Sequence, residues 1–210
     1  MPNRTPHADR RIAKVFNLPN QLTSLRLILS VIMFCVIVWE HYLTSMVLFI
    51  VAAGTDWLDG YYARKYGQIT TLGRILDPFA DKVIVCGTFI YLVSIPAIAL
   101  DPQRHWSWMG LQAWMVVVIV GRELLVTALR SFLEERGSDF SAKMSGKLKM
   151  VLQCIAAGVC LFYLHYKSPE APPDWVWWLL VSSVWSAVAL TVYSGIVYVL
   201  IAVRLLRESS

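Results

Sequence analysis

The chain has 210 residues, 57% of them hydrophobic, with a formal net charge of +5 and a mean hydropathy of +0.56. That is too apolar for an ordinary soluble domain of this size, and so modest a positive charge points to no nucleic-acid partner. Cys35, Cys86, Cys154 and Cys160 all lie in apolar runs with no Cys-x2-Cys spacing. This excludes a disulfide framework or a zinc site and predicts four buried thiols.

Residues 1–16 form a basic arm, expected to lie as a short interfacial helix. Ile12, Val15 and Phe16 make an apolar face, while Arg10, Arg11 and Lys14 suit anionic head groups. No cleavable apolar core follows Met1–Lys14, so the arm does not read as a signal peptide. Residues 17–210 are expected to form one all-α integral membrane domain of six transmembrane helices. The spans run about 22–39, 44–63, 78–99, 109–134, 146–166 and 175–203, read as long enough to span a bilayer, which requires roughly 20 helical residues. The fourth and sixth exceed that length and should tilt or project into water. Pro78 falls at the expected start of the third span. Pro96 falls near its end, where it should kink or stop the helix.

Lys and Arg gather on one side of this arrangement: the N-terminal arm, the 64–76 loop, the 135–145 loop and the tail. Only Arg104 and Lys167 fall on the other side. The positive-inside rule therefore places both termini in the cytoplasm, for a protein of the cell (inner) membrane. Trp106, Trp108, Trp175, Trp177 and Trp178 collect near the opposite interface, as an aromatic belt does.

Asp56 and Asp59, then Asp77 and Asp81, stand at the ends of the second and third apolar runs. Their spacings, i,i+3 and i,i+4, put each pair of carboxylates on one helix face. Carboxylates near membrane depth need a compensating cation. An oxygen-rich cluster with no Cys or His suits Mg2+ or Mn2+, and two such ions would neutralise all four charges and clamp a phosphoryl group. Each residue also has a plainer reading. Asp77 before Pro78 fits an N-cap with proline at the first helical position. Asp56 and Asp59 fit surface pairs with Arg64 or Lys65, and Asp81 a pair with Lys82 or Lys147. Gly60 beside Asp59 lets a ring or phosphate approach the helix; Ala63 keeps that face low, Arg64 is placed for a diphosphate, and Gly73 fits a tight turn before the third helix. Gly54 reads best as a small-residue helix contact.

The segment reads Asp56-x2-Asp59-Gly60-x2-Ala63-Arg64-x8-Gly73-x3-Asp77-x3-Asp81. At these positions the chain resembles the CDP-alcohol phosphatidyltransferase family, matching its pattern at every fixed position. Asn17–Thr23 with Arg26, Arg122-Glu123 with Thr127–Arg130, and Gly146–Lys149 with Gln153 are similar to its phosphatidylglycerophosphate synthase branch. The resemblance runs from about residue 17 to 153. It implies six helices in a homodimer around a cytoplasm-facing cavity open to membrane lipids. It also implies transfer of a phosphatidyl group from CDP-diacylglycerol to glycerol 3-phosphate, with release of CMP. Carried over, Asp56, Asp59, Asp77 and Asp81 bind the metals and Asp81 is also the general base, although metal binding weakens a carboxylate as a base. Asn20, Thr23, Gly60, Ala63, Arg64, Thr70 and Gly73 become the CDP-diacylglycerol contacts.

An acceptor phosphate needs cations. Arg122 is the leading candidate because it lies well inside the fourth span, where an unpaired Arg is costly. The competing reading is an ion pair with Glu123 or with one of the aspartates. Arg130, Lys143 and Lys147 near the same end complete the expected acceptor site. Acceptors other than glycerol 3-phosphate fit the same chemistry: phosphatidylglycerol (giving cardiolipin), inositol phosphate or serine. A divalent-cation transporter is the remote alternative, disfavoured because all four aspartates lie near one interface.

Overall fold

The structure is a computed structural model. It describes residues 18–66, 71–99, 107–135, 144–166 and 172–208. Within these it describes all side chains except those of 18–20, 22, 56–66, 71–78, 99, 107, 134–135, 144–147, 206 and 208. The described residues are helical, with no strand among them. They form α1 (Leu18–Val38), α2 (Tyr42–Tyr66), α3 (Thr71–Val93), the single-turn α4 (Pro96–Ala99), a 3-10 turn at Ser107–Met109, α5 (Ala113–Glu135), α6 (Met144–Tyr166) and α7 (Asp174–Glu208). The 1–16 arm, Thr70 and Lys143 lie outside the described residues.

The helix ends follow from local chemistry. α1 stops in a Schellman turn: Glu40 N–H donates to Ile37 O at 3.0 Å and His41 N–H to Val36 O at 3.2 Å. The residue at the turn, Glu40, has φ 62°, a left-handed conformation more usual for glycine. α3 ends because Pro96 disfavours a helical residue before it. The last N–H groups, of Ser94 and Ile95, fold back onto Tyr91 O and Leu92 O. Pro96 then opens α4, where proline's missing N–H has no consequence. The pair Pro172-Pro173 precedes α7, and Pro173 O accepts Val176 N–H at 3.0 Å.

Several expectations change. α3 begins at Thr71, not near Pro78, so only residues 67–70 separate it from α2. The predicted 64–76 loop is mostly helix. Gly73 lies in the first turn of α3, not in a bend before it. Asp77 lies in the helix body, so its N-cap reading fails. Pro78 is likewise interior, where it cannot donate to the carbonyl of Arg74. Residues 18–23 form the start of α1. Of the cysteines, which are all free, only Cys160 is buried and Cys35 is exposed. A Cβ at Gly54 would meet nothing within 4 Å, so within the described residues Gly54 is not a packing contact. Trp108, Trp175 and Trp178 are exposed as an aromatic belt requires, but Trp177 is buried.

The chain divides into two compact units, Met1–Gly87 and Thr88–Ser210. In the first, α1 packs along α2 around Met33, Ile37, Phe49 and Ala52. Gly87 admits the ring of Phe34, whose Cζ would stand 2.4 Å from any Cβ there. In the second, α7 packs on both α5 and α6. Its core holds Met115, Ile119, Ala156, Ala157, Leu180, Val184 and Ala187. At one end the rings of Tyr163 and Trp177 meet at 5.7 Å between centroids. Trp177 also covers Gly110, where a Cβ would strike the carbonyl of Ile98.

Among the described residues two helices are long and apolar enough to cross a membrane, over Leu148–Tyr166 and Asp174–Leu205. Shorter apolar stretches occupy Thr23–Val38 and Tyr42–Thr55. Exposed Val, Leu and Ile side chains stud the outer faces of these helices, including Ile28, Val31, Ile50, Ile155, Ile196 and Leu200. α7, with 35 residues, is about 52 Å long at 1.5 Å per residue. That exceeds the roughly 30 Å hydrocarbon core, as expected of the last span.

Candidate functional site

The first unit holds the acidic residues. Asp56, Asp59, Gly60, Ala63 and Arg64 all lie on α2, and Gly73, Asp77 and Asp81 on α3. Both aspartate pairs are therefore on continuous helix, and each pair shares a face through its three- or four-residue spacing. Asp81 is the one of the four whose side chain is described. Its Oδ1 accepts a hydrogen bond from Arg26 Nη1 at 2.5 Å. The Arg26 side chain is fully buried, while that of Asp81 keeps 29% exposure. The carboxylate is thus gripped from the protein side and open on another. Arg26 is set one turn before Ser30, whose hydroxyl donates to Arg26 O at 2.7 Å. Thr23, on the same face of α1, is fully buried.

The Asp81–Arg26 pair joins residues 55 positions apart, and the sequence reading, which weighed Lys82 and Lys147, missed it. The available signal was an Arg well inside an apolar run, which needs an anion. Among the described side chains no group of three His, Cys, Asp or Glu stands together. The donor chemistry nonetheless fits a hard divalent ion. The segment from Asp56 to Asp81 offers four carboxylates and no His or Cys, and Asp81 is already engaged as a ligand of positive charge.

The second unit holds a buried cationic site. Arg122, the tenth residue of α5, has a side chain only 8% exposed. Its Nη1 donates to Glu123 Oε1 at 3.2 Å. The same carboxylate oxygen accepts Lys149 Nζ from α6, and Lys149 is 6% exposed. Two cations thus share one carboxylate, for a local charge of +1. The ion pair weighed for Arg122 is present, yet it uses only one corner of the guanidinium. Nε and Nη2 are buried and have no hydrogen-bond partner among the described residues. These two nitrogens form one edge of the guanidinium fork, the edge that meets two oxygens of a carboxylate or phosphate side by side. Leaving such an edge buried and unmatched is costly, so it is chemically suited to receive an anion.

A neutral network continues one turn along. Gln153 Nε2 donates to Thr191 Oγ1 at 2.9 Å, which donates to Ala187 O at 2.6 Å. Ser194 Oγ donates to Thr191 O at 3.1 Å. Thr191, Ser194, Gly195 and Tyr198 lie on one face of α7 through their spacings of three, four and seven. Of the other expected acceptor residues, Arg130 lies two turns beyond Arg122 on α5 and Lys147 lies in the first turn of α6. Lys149, absent from the expected set, shares the Glu123 carboxylate with Arg122.

The chain belongs to the CDP-alcohol phosphatidyltransferase family, whose model matches residues 16–193. Members of this family are generally dependent on divalent metal, and the family together with the apolar helices makes this a membrane protein. The chain is 36% identical over 197 residues to the CDP-diacylglycerol–glycerol-3-phosphate 3-phosphatidyltransferase of Bacillus subtilis, covering 86% of this chain and 92% of that one. Enzymes of the same name from Haemophilus influenzae and Escherichia coli K12 are 33% and 32% identical. These matches cover 89% and 87% of this chain and 94% and 93% of the relatives.

Proposed function

We propose that this protein transfers the phosphatidyl group of CDP-diacylglycerol to sn-glycerol 3-phosphate, giving phosphatidylglycerophosphate and CMP. The observation that carries the reading is the complete aspartate pattern on two consecutive helices, in a chain whose relatives bear the name of that reaction. In the reaction a hydroxyl oxygen of the acceptor forms a bond to the phosphatidyl phosphorus. The anhydride bond to CMP breaks, and the hydroxyl proton passes to a base.

Asp81 is that base in our reading. Its carboxylate is oriented by Arg26 and remains partly open, as a group that must reach a substrate hydroxyl requires. Asp56, Asp59, Asp77 and Asp81 would hold Mg2+ or Mn2+, two ions in all, which when bound neutralise charge on the diphosphate and on the departing CMP. Asn20, Thr23, Gly60, Ala63, Arg64, Thr70 and Gly73 are assigned to the nucleotide-linked lipid. Arg122, through its Nε–Nη2 edge, is assigned to the acceptor's phosphate, with Arg130, Lys143 and Lys147 as further cations and Lys149 added beside them.

We read α1, α2, α3, α5, α6 and α7 as six spans. The aspartates and both termini face the cytoplasm at the cell (inner) membrane, and the chain pairs as a homodimer. The supporting observation is the bias of Lys and Arg toward one side of the spans. The test of function is transfer by the purified protein in lipid nanodiscs, with CDP-diacylglycerol and each acceptor in turn. CMP release with glycerol 3-phosphate alone, abolished by chelation of divalent ions, is the expected result. Release with serine, inositol phosphate or phosphatidylglycerol instead would reassign the acceptor. Activity that survived complete chelation would remove the metal site.

A further inference from the structure

The anion site has a wall that the family match does not reach. That match ends at residue 193, yet α7 runs on to Glu208, and two of its next residues touch Arg122. The guanidinium carbon of Arg122 lies 5.3 Å from the centroid of the Tyr198 ring, within the range of a cation–π contact. The methylene stem of Arg122 crosses Gly195, where a Cβ would stand 3.1 Å from Arg122 Cγ. Tyr198 is itself 1% exposed and belongs to a packed cluster with Val126, Leu133 and Ala202, flanked by Leu129, Ile201 and Leu205. Its ring is therefore a fixed surface.

Arg122 is thus constrained on three sides. Gly195 admits the stem, Tyr198 covers one face of the guanidinium, and Glu123 takes Nη1. What these contacts leave unmatched is the Nε–Nη2 edge. A long Arg side chain loses rotamer entropy when it is fixed, and holding it in place before the ligand arrives removes that loss from binding.

We propose that Tyr198 and Gly195 are positioning residues for recognition of the acceptor's phosphomonoester. They aim one edge of Arg122, so the C-terminal helix takes part in acceptor selection. This rests on the assignment of Arg122 to that phosphate.

The test is steady-state kinetics of the full chain in nanodiscs, varying glycerol 3-phosphate at saturating CDP-diacylglycerol. Tyr198→Leu should raise the KM for glycerol 3-phosphate about fivefold, the lower part of the range of a cation–π contact. Its kcat and its KM for CDP-diacylglycerol should stay within about twofold of the parent. Tyr198→Phe, which keeps the ring, should recover most of the loss. The proposal is overturned if Tyr198→Leu leaves that KM unchanged, if it shifts kcat and both KM values alike, or if the Phe variant is as impaired as the Leu variant. Should the Leu variant not fold, Gly195→Ala provides the second arm: its methyl presses only on the Arg122 stem, and an unchanged KM there also overturns the proposal. Arg122→Met separates the levels. An unchanged KM in that variant removes the acceptor-site assignment itself. A raised KM there, with none in Tyr198→Leu, removes only the positioning role.

Discussion

The two units of this chain carry their charges in different ways. In the first, four carboxylates fall between residues 56 and 81, on α2 and α3, at spacings that a reader of the sequence can lay on a helix. In the second, Arg122, Glu123, Lys149, Gln153, Gly195 and Tyr198 come from α5, α6 and α7 and meet only through packing. The four aspartates of the first unit put like charge on two helices, which calls for cations, and Arg26 supplies one to Asp81. The cluster of the second unit sets Arg122 and Lys149 against Glu123 and leaves the Nε–Nη2 edge of Arg122 buried and unmatched among the described residues. A site for metal and diphosphate tolerates several interchangeable oxygen donors, whereas a site for one phosphomonoester needs a few donors held in a fixed direction.

If this contrast is right, substitutions in the two units should fail differently. The largest effect belongs to the aspartates. Asp81→Asn keeps the size of the side chain and its contact to Arg26 but removes the proposed base, and CMP release should fall about a thousandfold. The protein should remain folded and membrane-inserted, as gel filtration in detergent would verify. Turnover within tenfold of the parent would take the base role away from Asp81.

Arg122→Met should be next, and its failure should be specific. The KM for glycerol 3-phosphate should rise about 30-fold, the scale of a charge-assisted hydrogen-bonded pair, while the KM for CDP-diacylglycerol stays the same. If both rise together, the Arg122 cluster is not a separate acceptor site and the contrast collapses. Gln153→Leu probes the neutral part of the same network. Removing the donor to Thr191 should cost about 1 kcal/mol of stability, read as a lowered unfolding temperature, with both KM values unmoved. A changed acceptor KM would mean that the polar chain along α7 extends the anion site.

The smallest effect lies away from both sites. Glu40 occupies the left-handed position of the turn after α1. Replacing it with Gly should stabilise the protein by about 0.5 kcal/mol, the relief of strain offset by the flexibility glycine gains in the unfolded chain. Thermal unfolding in detergent would register it, and activity should not change.

The all-helical fold was legible because long apolar runs need no partner to be recognised. The helical pairing of the aspartates was legible for a related reason: i,i+3 and i,i+4 neighbours are set by the helix itself. The helix boundaries near the site were not. Thr71–Gly73 and Arg74 read as loop because the stretch is polar, and Pro78 read as a start because proline usually stands at a first turn; the folded chain carries the helix through both. Residue types alone also left Gly54 as a packing contact and the cysteines as buried, since sequence identifies an apolar helix but not which of its faces meets protein.

What the sequence determined by itself was the membrane character, the acidic chemistry and the family, all of them properties of composition and short spacing. The tertiary structure decided which charge answers which. It brought Arg26 to Asp81 across 55 residues and Lys149 to Glu123 across 26, and it set Tyr198 over Arg122. The reason is physical: a buried charge must find its counterpart wherever packing brings one, and distance along the chain sets no limit on that search.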